Sequence, residues 1–308
     1  MSLKYEVASI PLSEISLEKT FSFSIPNRKN LIKESVKKFG ILQPPVLGFF
    51  SDKYTLIDGK ARILAGIDAG IKETKCIILR VNFKEALILA LELNLPRGLN
   101  IVEKAEFIKK AKEVFTKEEI FGFLKKLGFS PSNQNFFFLL NLSMLEEEFK
   151  ILLAQEKLNP KTGELLAELD HKERMEFLNL LRSLRLSFSE QLQVLEKLVD
   201  CKKRYEISEL IPLELKEILQ EEDFNKRKTE FMKKLNLLYY PNYFPKYQKV
   251  MSLVKSLKDK GIQVGFSPYF EEKEVSISLK VKNFEEYRSR VSVLEESLEK
   301  IRDLFKIL

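Results

Sequence analysis

The chain has 308 residues, of which 44% are hydrophobic and 31% are charged, so it can form two or three domains with cores of their own. Its apolar runs are far shorter than the roughly 20 residues that a membrane-spanning helix needs. The first residues show no signal-peptide pattern, so we expect a cytoplasmic protein. The net charge of +7 is spread along the chain, which permits a nucleic-acid partner without requiring one.

Few residues are of the kinds that bind transition metals. The two cysteines, Cys76 and Cys201, are far apart and form no C-x-x-C motif. We expect Cys76 to be a buried strand residue and His171, the only histidine, to be a solvated surface side chain. The sequence therefore predicts neither a metal site nor a catalytic triad, and we assign no catalytic residue.

Residues 1–97 are expected to form a mixed α/β domain. Short apolar runs and helical repeats of apolar residues alternate there, separated by glycine and proline. The predicted strands are 6–10, 45–50, 54–57 and 74–81, and the predicted helices are 30–39, 61–69 and 83–93.

Residues 98–200 are expected to form an all-helical domain, because helix-capping signals recur along them. Asn159-Pro160 is one of these, an N-cap with proline in the first turn. The others are predicted capping boxes at Asn100 with Glu103, Thr116 with Glu119, Ser143 with Glu146, and Ser187 with Glu190.

Residues 201–308 are expected to form a separate, small α+β module. A charged helical connector over 201–234 precedes a helix over 245–260, strands over 262–266 and 274–281, and one long helix over 284–308. An apolar stripe on that helix favours intramolecular packing over a dimer seam; it consists of Tyr287, Val291, Leu294, Leu298, Ile301 and Phe305.

The segment Asp58-Gly59-Lys60-Ala61-Arg62 connects a predicted strand to a predicted helix and is a candidate anion site. A helix N-terminus has unpaired N–H groups and partial positive charge. Gly59 permits a tight turn, and Lys60 and Arg62 add charged donors. Taken alone, such a segment is more often only a turn, so both interpretations stay open.

Five segments follow one another along residues 10–100: Ile10–Ile15, Pro26 with Arg28, Glu34–Pro44, Leu56–Ile71 and Asn94–Asn100. In this order they resemble the ParB family. The third is similar to S-I-x-x-x-G-x-L-Q-P, the fourth to the G-E-R-R-x-R-A box, and the fifth to E-N-L-Q-R-x-x-L-N. The resemblance implies a domain of the ParB/sulfiredoxin type with a site for CTP and Mg²⁺, formed by Arg28, Gln43, Pro44, Gly59, Lys60, Arg62, Asn94 and Arg97.

The box departs from the family pattern. Lys60 stands where the family has Glu, and Ala61 and Leu64 stand where it has Arg; Leu93 replaces the Glu before Asn94. Leu and Ala cannot replace the paired donors of a guanidinium. We therefore expect a degenerate site that binds CTP or another phosphorylated ligand, and weak CTP hydrolysis is left open.

A helix-turn-helix is predicted over residues 116–140. A capped helix over 116–127 precedes the turn Gly128-Phe129-Ser130, and Pro131 opens a second helix. A plain helical hairpin is the alternative. The resemblance to ParB continues here and covers residues 8–199 in all, through the segments Asn100–Ala105, Leu139–Ser143, Leu158–Leu169 and the stretch from Leu186.

The resemblance implies a homodimer that binds a palindromic DNA site. From Gly128 to Phe149 there is no Lys or Arg, so phosphate contacts are expected from Lys125 and Lys126. The phenylalanine run 136–138 cannot all face one core and suggests a partner surface. The side chains expected to contact DNA in the turn and the second helix are Ser130, Ser132, Asn133, Gln134 and Asn135.

The sequence thus favours a ParB-like DNA-binding protein of chromosome or plasmid partition or nucleoid organisation, associated with the nucleoid in the cytoplasm. The alternative is a protein-interaction module that kept the ParB architecture without specific DNA binding and contacts a protein through residues 201–308. A third class, an enzyme of phosphate chemistry, requires turnover of CTP with Mg²⁺.

Overall fold

The computed structural model describes residues 4–17, 21–26, 28–267 and 274–308. The chain forms two compact units, residues 1–195 and 196–308. The three-domain division at residues 97 and 200 stays a prediction. Within the described ranges, no helix is long and apolar enough to cross a membrane.

A five-stranded mixed sheet opens the first unit. Its strands are β1 (Tyr5–Pro11), β2 (Ile15–Ser16), β3 (Val46–Phe50), β4 (Lys53–Asp58) and β5 (Glu73–Leu79). They lie in the order β1-β5-β3-β4-β2, with β1–β5 and β3–β4 antiparallel and β3–β5 and β2–β4 parallel. The helices that accompany the sheet are α1 (Lys29–Phe39), α2 (Lys60–Asp68) and α3 (Phe83–Asn94).

The predicted strands and helices of this sheet region are present, with ends that differ by one or two residues; β2, with two residues, was too short to predict. Cys76 is buried in β5, as predicted, and burial raises the pKa of its thiol to about 11. It packs in a core made by the inward faces of the strands and by α2, which contains Ile10, Leu12, Ile15, Leu47, Leu56, Ile63 and Ile78.

The rest of the first unit is helical, as predicted. Three Phe side chains, Phe107, Phe115 and Phe123, meet edge to face in its core. The helices are α4 (Ile101–Ala111), α5 (Lys117–Lys126), α6 (Asn133–Met144), α7 (Glu147–Ala154), α8 (Pro160–Leu166), α9 (His171–Leu184) and α10 (Phe188–Tyr205), the last of which contains the unit boundary.

Most of the predicted caps are confirmed. The side chains of Asn100 and Thr116 cap α4 and α5 in reciprocal capping boxes, and Asn159 accepts from the N–H of Lys161 at the start of α8. The box predicted at Ser143 with Glu146 is wrong. Ser143 lies inside α6, where its hydroxyl donates to the carbonyl of Leu140 at 2.6 Å.

The connection between α5 and α6 is longer than predicted. The predicted turn was Gly128-Phe129-Ser130, but α6 begins at Asn133 with Ser132 as its N-cap, and Pro131 precedes the helix instead of opening it. Gly128 has a φ of +84°, which ends α5 with a left-handed residue. Two helices joined by a turn are thus present, and their use as a DNA-binding motif stays a prediction.

The second unit contains α11 (Leu213–Ile218), α12 (Phe224–Tyr239), α13 (Tyr243–Asp259), the antiparallel pair β6 (Ile262–Phe266) and β7 (Val275–Leu279), α14 (Phe284–Glu295) and α15 (Leu298–Ile307). The single helix predicted over 284–308 is wrong, because it breaks at Glu296 and Ser297. The predicted apolar stripe is consequently split: Ile301 is buried beside Leu304, whereas Leu298 and Phe305 are more than half exposed.

Candidate anion-binding pocket

A pocket of about 730 Å³ lies where β4 ends and α2 begins. Its volume is within the range of small-molecule sites. Pro44 joins it through its backbone carbonyl, which accepts a hydrogen bond from Arg62 Nη1 at 3.3 Å. The other seven predicted phosphate-binding residues line the pocket itself: Arg28, Gln43, Gly59, Lys60, Arg62, Asn94 and Arg97.

The turn at Gly59 requires glycine. Its φ is +105°, a left-handed conformation that side chains disfavour. A Cβ atom there would lie 3.1 Å from Arg62 Nε and 3.1 Å from Pro45 Cβ. The absence of a side chain therefore lets the guanidinium of Arg62 lie against the backbone at the start of α2.

Arg62 connects three parts of the pocket. Its Nη1 donates to the carbonyl of Gln43 at 2.9 Å, and its Nη2 lies 2.5 Å from Asp58 Oδ2. These contacts fix the segment before β3 and the end of β4 to the first turn of α2. The side chain is about one fifth exposed, so its guanidinium still faces the pocket.

A second arginine continues this network. Asn94 Nδ2 donates to Asp58 Oδ1 at 3.1 Å and to the Ala90 carbonyl at 2.8 Å, and Asn94 Oδ1 accepts from Arg97 Nε at 2.7 Å. Arg97 also donates to Ser24 Oγ at 3.1 Å. The network therefore runs from the end of β4, through the end of α3, to the segment before α1.

Glu103 anchors the network to α4. Its carboxylate is completely buried and accepts two hydrogen bonds from Arg97, at 2.8 and 2.9 Å. Arg28 Nη2 lies 3.6 Å from the same carboxylate. Glu103 also accepts from the N–H of Asn100, where it completes the capping box of α4. A pocket arginine is thus joined, by a paired charge-assisted contact, to the first helix of the helical region.

The pocket has an excess of positive charge, with seven basic and three acidic side chains in its lining. The sequence did not assign Asp58, although it precedes Gly59 in the quoted segment, or Glu103, which was interpreted only as a cap. It also did not reveal the lining side chains from α4 and α7, because they are 40–90 residues away from the turn and no local pattern marks them; these are Glu106, Lys109, Lys110, Glu147 and Lys150.

The lysines predicted to contact DNA phosphates lie in the last turn of α5. Both are exposed. Lys126 forms an ion pair with Glu92 of α3. Such exposed pairs contribute little to stability, so Lys126 can exchange its partner for a phosphate at small cost.

The predicted base-contacting side chains divide into two groups. Asn135 Nδ2 donates to the carbonyl and the hydroxyl of Ser130, both at 2.9 Å, and Ser132 Oγ accepts from the N–H of Asn135 at 3.2 Å. These three residues therefore fix the turn before α6. Asn133 and Gln134 are exposed in the first turn of that helix.

The phenylalanine run after them also divides. Phe138 is buried, with its ring centroid 6.4 Å from that of Phe129 and with Lys161 over its face. Phe137 is 56% exposed and contacts Phe136 at a centroid distance of 5.2 Å. The run thus contributes one ring to the core and leaves another at the surface.

His171 is more than a solvated side chain. It is 70% exposed, but its Nδ1 lies 2.7 Å from Glu146 Oε1, and Arg174 donates to both oxygens of that carboxylate. Burial alone would raise the pKa of Glu146, but the hydrogen bonds from Arg174 and His171 outweigh it and lower the pKa to about 2. Glu146 therefore ties the residue before α7 to α9.

Within the part of the chain that the structure describes, no group of three or more His, Cys, Asp or Glu side chains is arranged to hold a metal ion. The fold and the pocket define a mixed α/β domain with a basic pocket at a strand-to-helix turn, followed by a helical region that the pocket contacts through Glu103.

Comparison with known proteins identifies the domain. The ParB N-terminal domain family model matches residues 3–95. A probable chromosome-partitioning protein ParB of Vibrio cholerae is 27% identical over 213 residues, which cover 63% of this chain and 71% of that protein. The chromosome-partitioning protein ParB of Myxococcus xanthus is 34% identical over 122 residues, which cover 38% of this chain and 41% of that protein. Residues 3–95 therefore match the ParB N-terminal domain, and the resemblance to ParB that the sequence predicts is confirmed.

Solved ParB structures are matched more distantly. A C-terminally truncated ParB of Caulobacter crescentus, complexed with CTP-gamma-S, is 18% identical with a TM-score of 0.27, over 57% of this chain and 98% of that one. The Pnob8-like ParB-N domain is 15% identical with a TM-score of 0.39, over 76% of this chain and 99% of that one. At these TM-scores the likeness supports no conclusion about ligands.

Proposed function

We propose that this chain is a DNA-binding protein of chromosome or plasmid partition or nucleoid organisation. Its N-terminal pocket is proposed to bind a nucleoside triphosphate, and CTP with Mg²⁺ is the first candidate. The observation that carries the proposal is the pocket itself, in which Lys60 and Arg62 follow the turn at Gly59 within the residues that match the ParB N-terminal domain model. Backbone N–H groups at the start of α2 and nearby guanidinium groups suit phosphate oxygens.

The residues of the pocket are proposed to have different roles. The Gly59 turn and Lys60 offer donors to phosphate, while Arg62 both faces the ligand and holds Gln43 and Asp58 in place. Phosphate oxygens and water supply most ligands of a Mg²⁺ ion bound with a triphosphate. Asp58 and Asn94 line the pocket, and a side-chain oxygen of either would complete such a shell on leaving its present hydrogen-bond partner.

Occupancy of the pocket is proposed to act on the helical region through Arg97. This side chain lines the pocket and is bonded to the buried Glu103 in the first turn of α4. A phosphate that draws Arg97 into the pocket competes with Glu103. A ligand changes the population of two conformations only by its difference in affinity for them, and this shared arginine provides that difference.

DNA binding is proposed for the α5–α6 pair, as a homodimer on a palindromic site. The exposed side chains available for it are Lys125 and Lys126 at the end of α5, and Asn133 and Gln134 at the start of α6. The two lysines offer phosphate contacts, and the two amides have the chemistry to pair with adenine.

Two measurements test the proposal together. Calorimetric titration with CTP, ATP and inorganic phosphate should show binding of CTP that Arg62→Ala weakens. Fluorescence anisotropy with mixed-sequence duplexes should show retention that falls as salt rises. If wild type binds no nucleotide, the pocket assignment is wrong; if it binds no duplex even at low salt, the DNA assignment is wrong.

A protein-interaction module without specific DNA binding is the second candidate. It is favoured by the lack of Lys and Arg from Gly128 to Phe149 and by the exposed ring of Phe137. Under this alternative, Phe137→Ser should abolish capture of a protein partner while the variant stays folded. Salt-sensitive DNA retention by wild type would instead favour the first candidate.

A further inference from the structure

A part of the pocket lining comes from outside the ParB N-terminal domain. The family match ends at residue 95, whereas Lys109 and Lys110 lie in or next to the last turn of α4 and Lys150 lies in α7. All three line the same pocket as Lys60 and Arg62. They supply three of its seven basic side chains, and Glu106 and Glu147 of the same helices supply two of its three acidic ones.

Lys150 is held in a partly dehydrated setting. Its Nζ lies 2.7 Å from Glu106 Oε1, and the two side chains are only 12% and 16% exposed. An ammonium group has three N–H donors, so Lys150 can keep its contact with Glu106 while it binds a phosphate oxygen. Little water surrounds the Lys150 ammonium, so its attraction for a nearby phosphate is screened less than that of a surface lysine, while Glu106 offsets part of it.

The turn at Gly59, in contrast, has few basic side chains. Ala61 and Leu64 occupy positions at which the ParB box has arginine, so only Lys60 and Arg62 remain there. The pocket nevertheless has four more basic than acidic side chains in its lining. A chain of three phosphates carries more charge than one helix turn with two cations can neutralise, and the additional cations lie on α4 and α7.

We propose that Lys109, Lys110 and Lys150 form a second anion subsite that binds the terminal phosphates of a nucleoside triphosphate, while the turn at Gly59 binds the phosphate nearest the nucleoside. The inference rests on the proposed nucleotide binding. It makes the ligand a bridge between the ParB N-terminal domain and the helices that follow it. Because lysines act as point charges, the subsite recognises the number of phosphates more than their geometry.

The test compares CMP, CDP and CTP by calorimetric titration of the full chain. Lys109→Gln combined with Lys110→Gln should lower the affinity for CTP at least tenfold and leave the affinity for CMP within twofold of wild type. The matched control is Lys112→Gln with Lys157→Gln, which removes the same charge from two exposed positions outside the pocket lining and should change neither affinity.

Lys150 needs a background in which its partner carries no charge. We therefore compare Glu106→Gln alone with Glu106→Gln plus Lys150→Met; the second should bind CTP at least fivefold more weakly than the first and CMP equally well. Equal losses for CMP and CTP, or no loss for CTP, overturn the second subsite. If wild type binds CTP but these variants match it, only this inference fails, whereas no binding of any nucleotide by wild type also overturns the proposed function.

Discussion

The pocket and the α5–α6 pair, both within residues 1–195, differ in where their charge lies. The pocket gathers basic side chains from the segment before α1, from α2, from the turn after α3, from α4 and from α7. The α6 side has no Lys or Arg from Gly128 to Phe149, and the side chains of Asn135 and Ser130 bond to each other. Of these two regions, the pocket therefore has the greater capacity to bind anions, and the proposed DNA contact through α5 and α6 depends on few cations.

The two regions also differ in how far apart in the sequence their bonded residues lie. Arg97 bonds to a serine 73 residues earlier and to a carboxylate six residues later, so it holds distant segments together. Ser132 and Asn135, in contrast, satisfy each other within one turn. A change in the pocket should therefore affect stability and ligand affinity together, whereas a change at the start of α6 should have local effects.

The largest expected effect is that of Glu103→Ala. It leaves Arg97 without its paired carboxylate and Arg28 without its nearest one, and it removes the capping box of α4. Breaking a buried ion pair typically costs about 3–5 kcal/mol. Urea unfolding should show a loss of this size, whereas Glu118→Ala, at an exposed position in the first turn of α5, should change stability by less than about 0.5 kcal/mol. A small loss at Glu103 would show that the network is not an anchor.

The helical region also contains a charged network, which surrounds the carboxylate of Glu146. Because the pKa of Glu146 is lowered from 4.5 to about 2 in the folded chain, its ionised form stabilises the fold above pH 4.5. That contribution, on the order of 2–3 kcal/mol, is lost as the pH falls from about 4.5 towards 2. Glu146→Gln should remove this part of the acid sensitivity in urea melts at several pH values. An unchanged pH profile would mean that Arg174 and His171 do not hold the carboxylate in solution.

Arg62→Ala comes next in size. It removes a charge-assisted donor from the pocket and releases the carbonyl of Gln43, so CTP affinity should fall at least tenfold, equivalent to about 1.5–3 kcal/mol. Arg62→Lys should recover only part of the loss, since lysine lacks the planar fork that contacts Asp58 and Gln43 together. Arg80→Ala, at an exposed position outside the pocket lining, is the control. Equal affinities for Arg62→Ala and Arg80→Ala would remove Arg62 from the site.

Much of the local structure could be predicted because it depends on neighbouring residues. Glycine at 59, the caps at Asn100 and Thr116, and the buried strand around Cys76 are all set within a few positions. The wrong predictions arose because they, too, were based on neighbouring residues alone. The Ser143 pattern fits a cap locally, but α6 continues through it. The apolar residues of 284–308 fit one helix locally, but the chain breaks at Glu296 and Ser297 and buries only Ile301 of the predicted stripe.

The candidate site was predictable only on the side that resembles ParB. All eight residues taken from that resemblance lie in or at the pocket, where the end of β4, the start of α2 and the end of α3 meet. The lysines of α4 and α7 could not be found in this way. Their approach to Arg62 depends on how the helices pack after residue 100, and periodicity does not specify which neighbour a helix face meets.

The smallest expected effect concerns DNA binding and tests whether the α5–α6 pair takes part in it. Replacing Lys125 and Lys126 with Ala should weaken binding to all duplexes about equally and reduce the slope of log affinity against log salt by roughly one or two. Removing Lys126 frees Glu92, which adds repulsion but little instability, because that ion pair is exposed. Anisotropy titrations at four salt concentrations measure the slope.

Sequence preference should depend on other residues. Gln134→Ala should relax it by about 1–3 kcal/mol between a preferred and a mismatched site, because Gln134 is exposed at the start of α6. Asn135→Ala should lower stability instead, since its amide holds Ser130. If neither lysine nor Gln134 matters while wild type still binds DNA, the phosphate contacts lie elsewhere, and the stretch from Phe231 to Lys258, with six lysines and no acidic residue, is the next to test. In that case α5 and α6 would only pack within the helical region, and DNA binding would not require cations on α6.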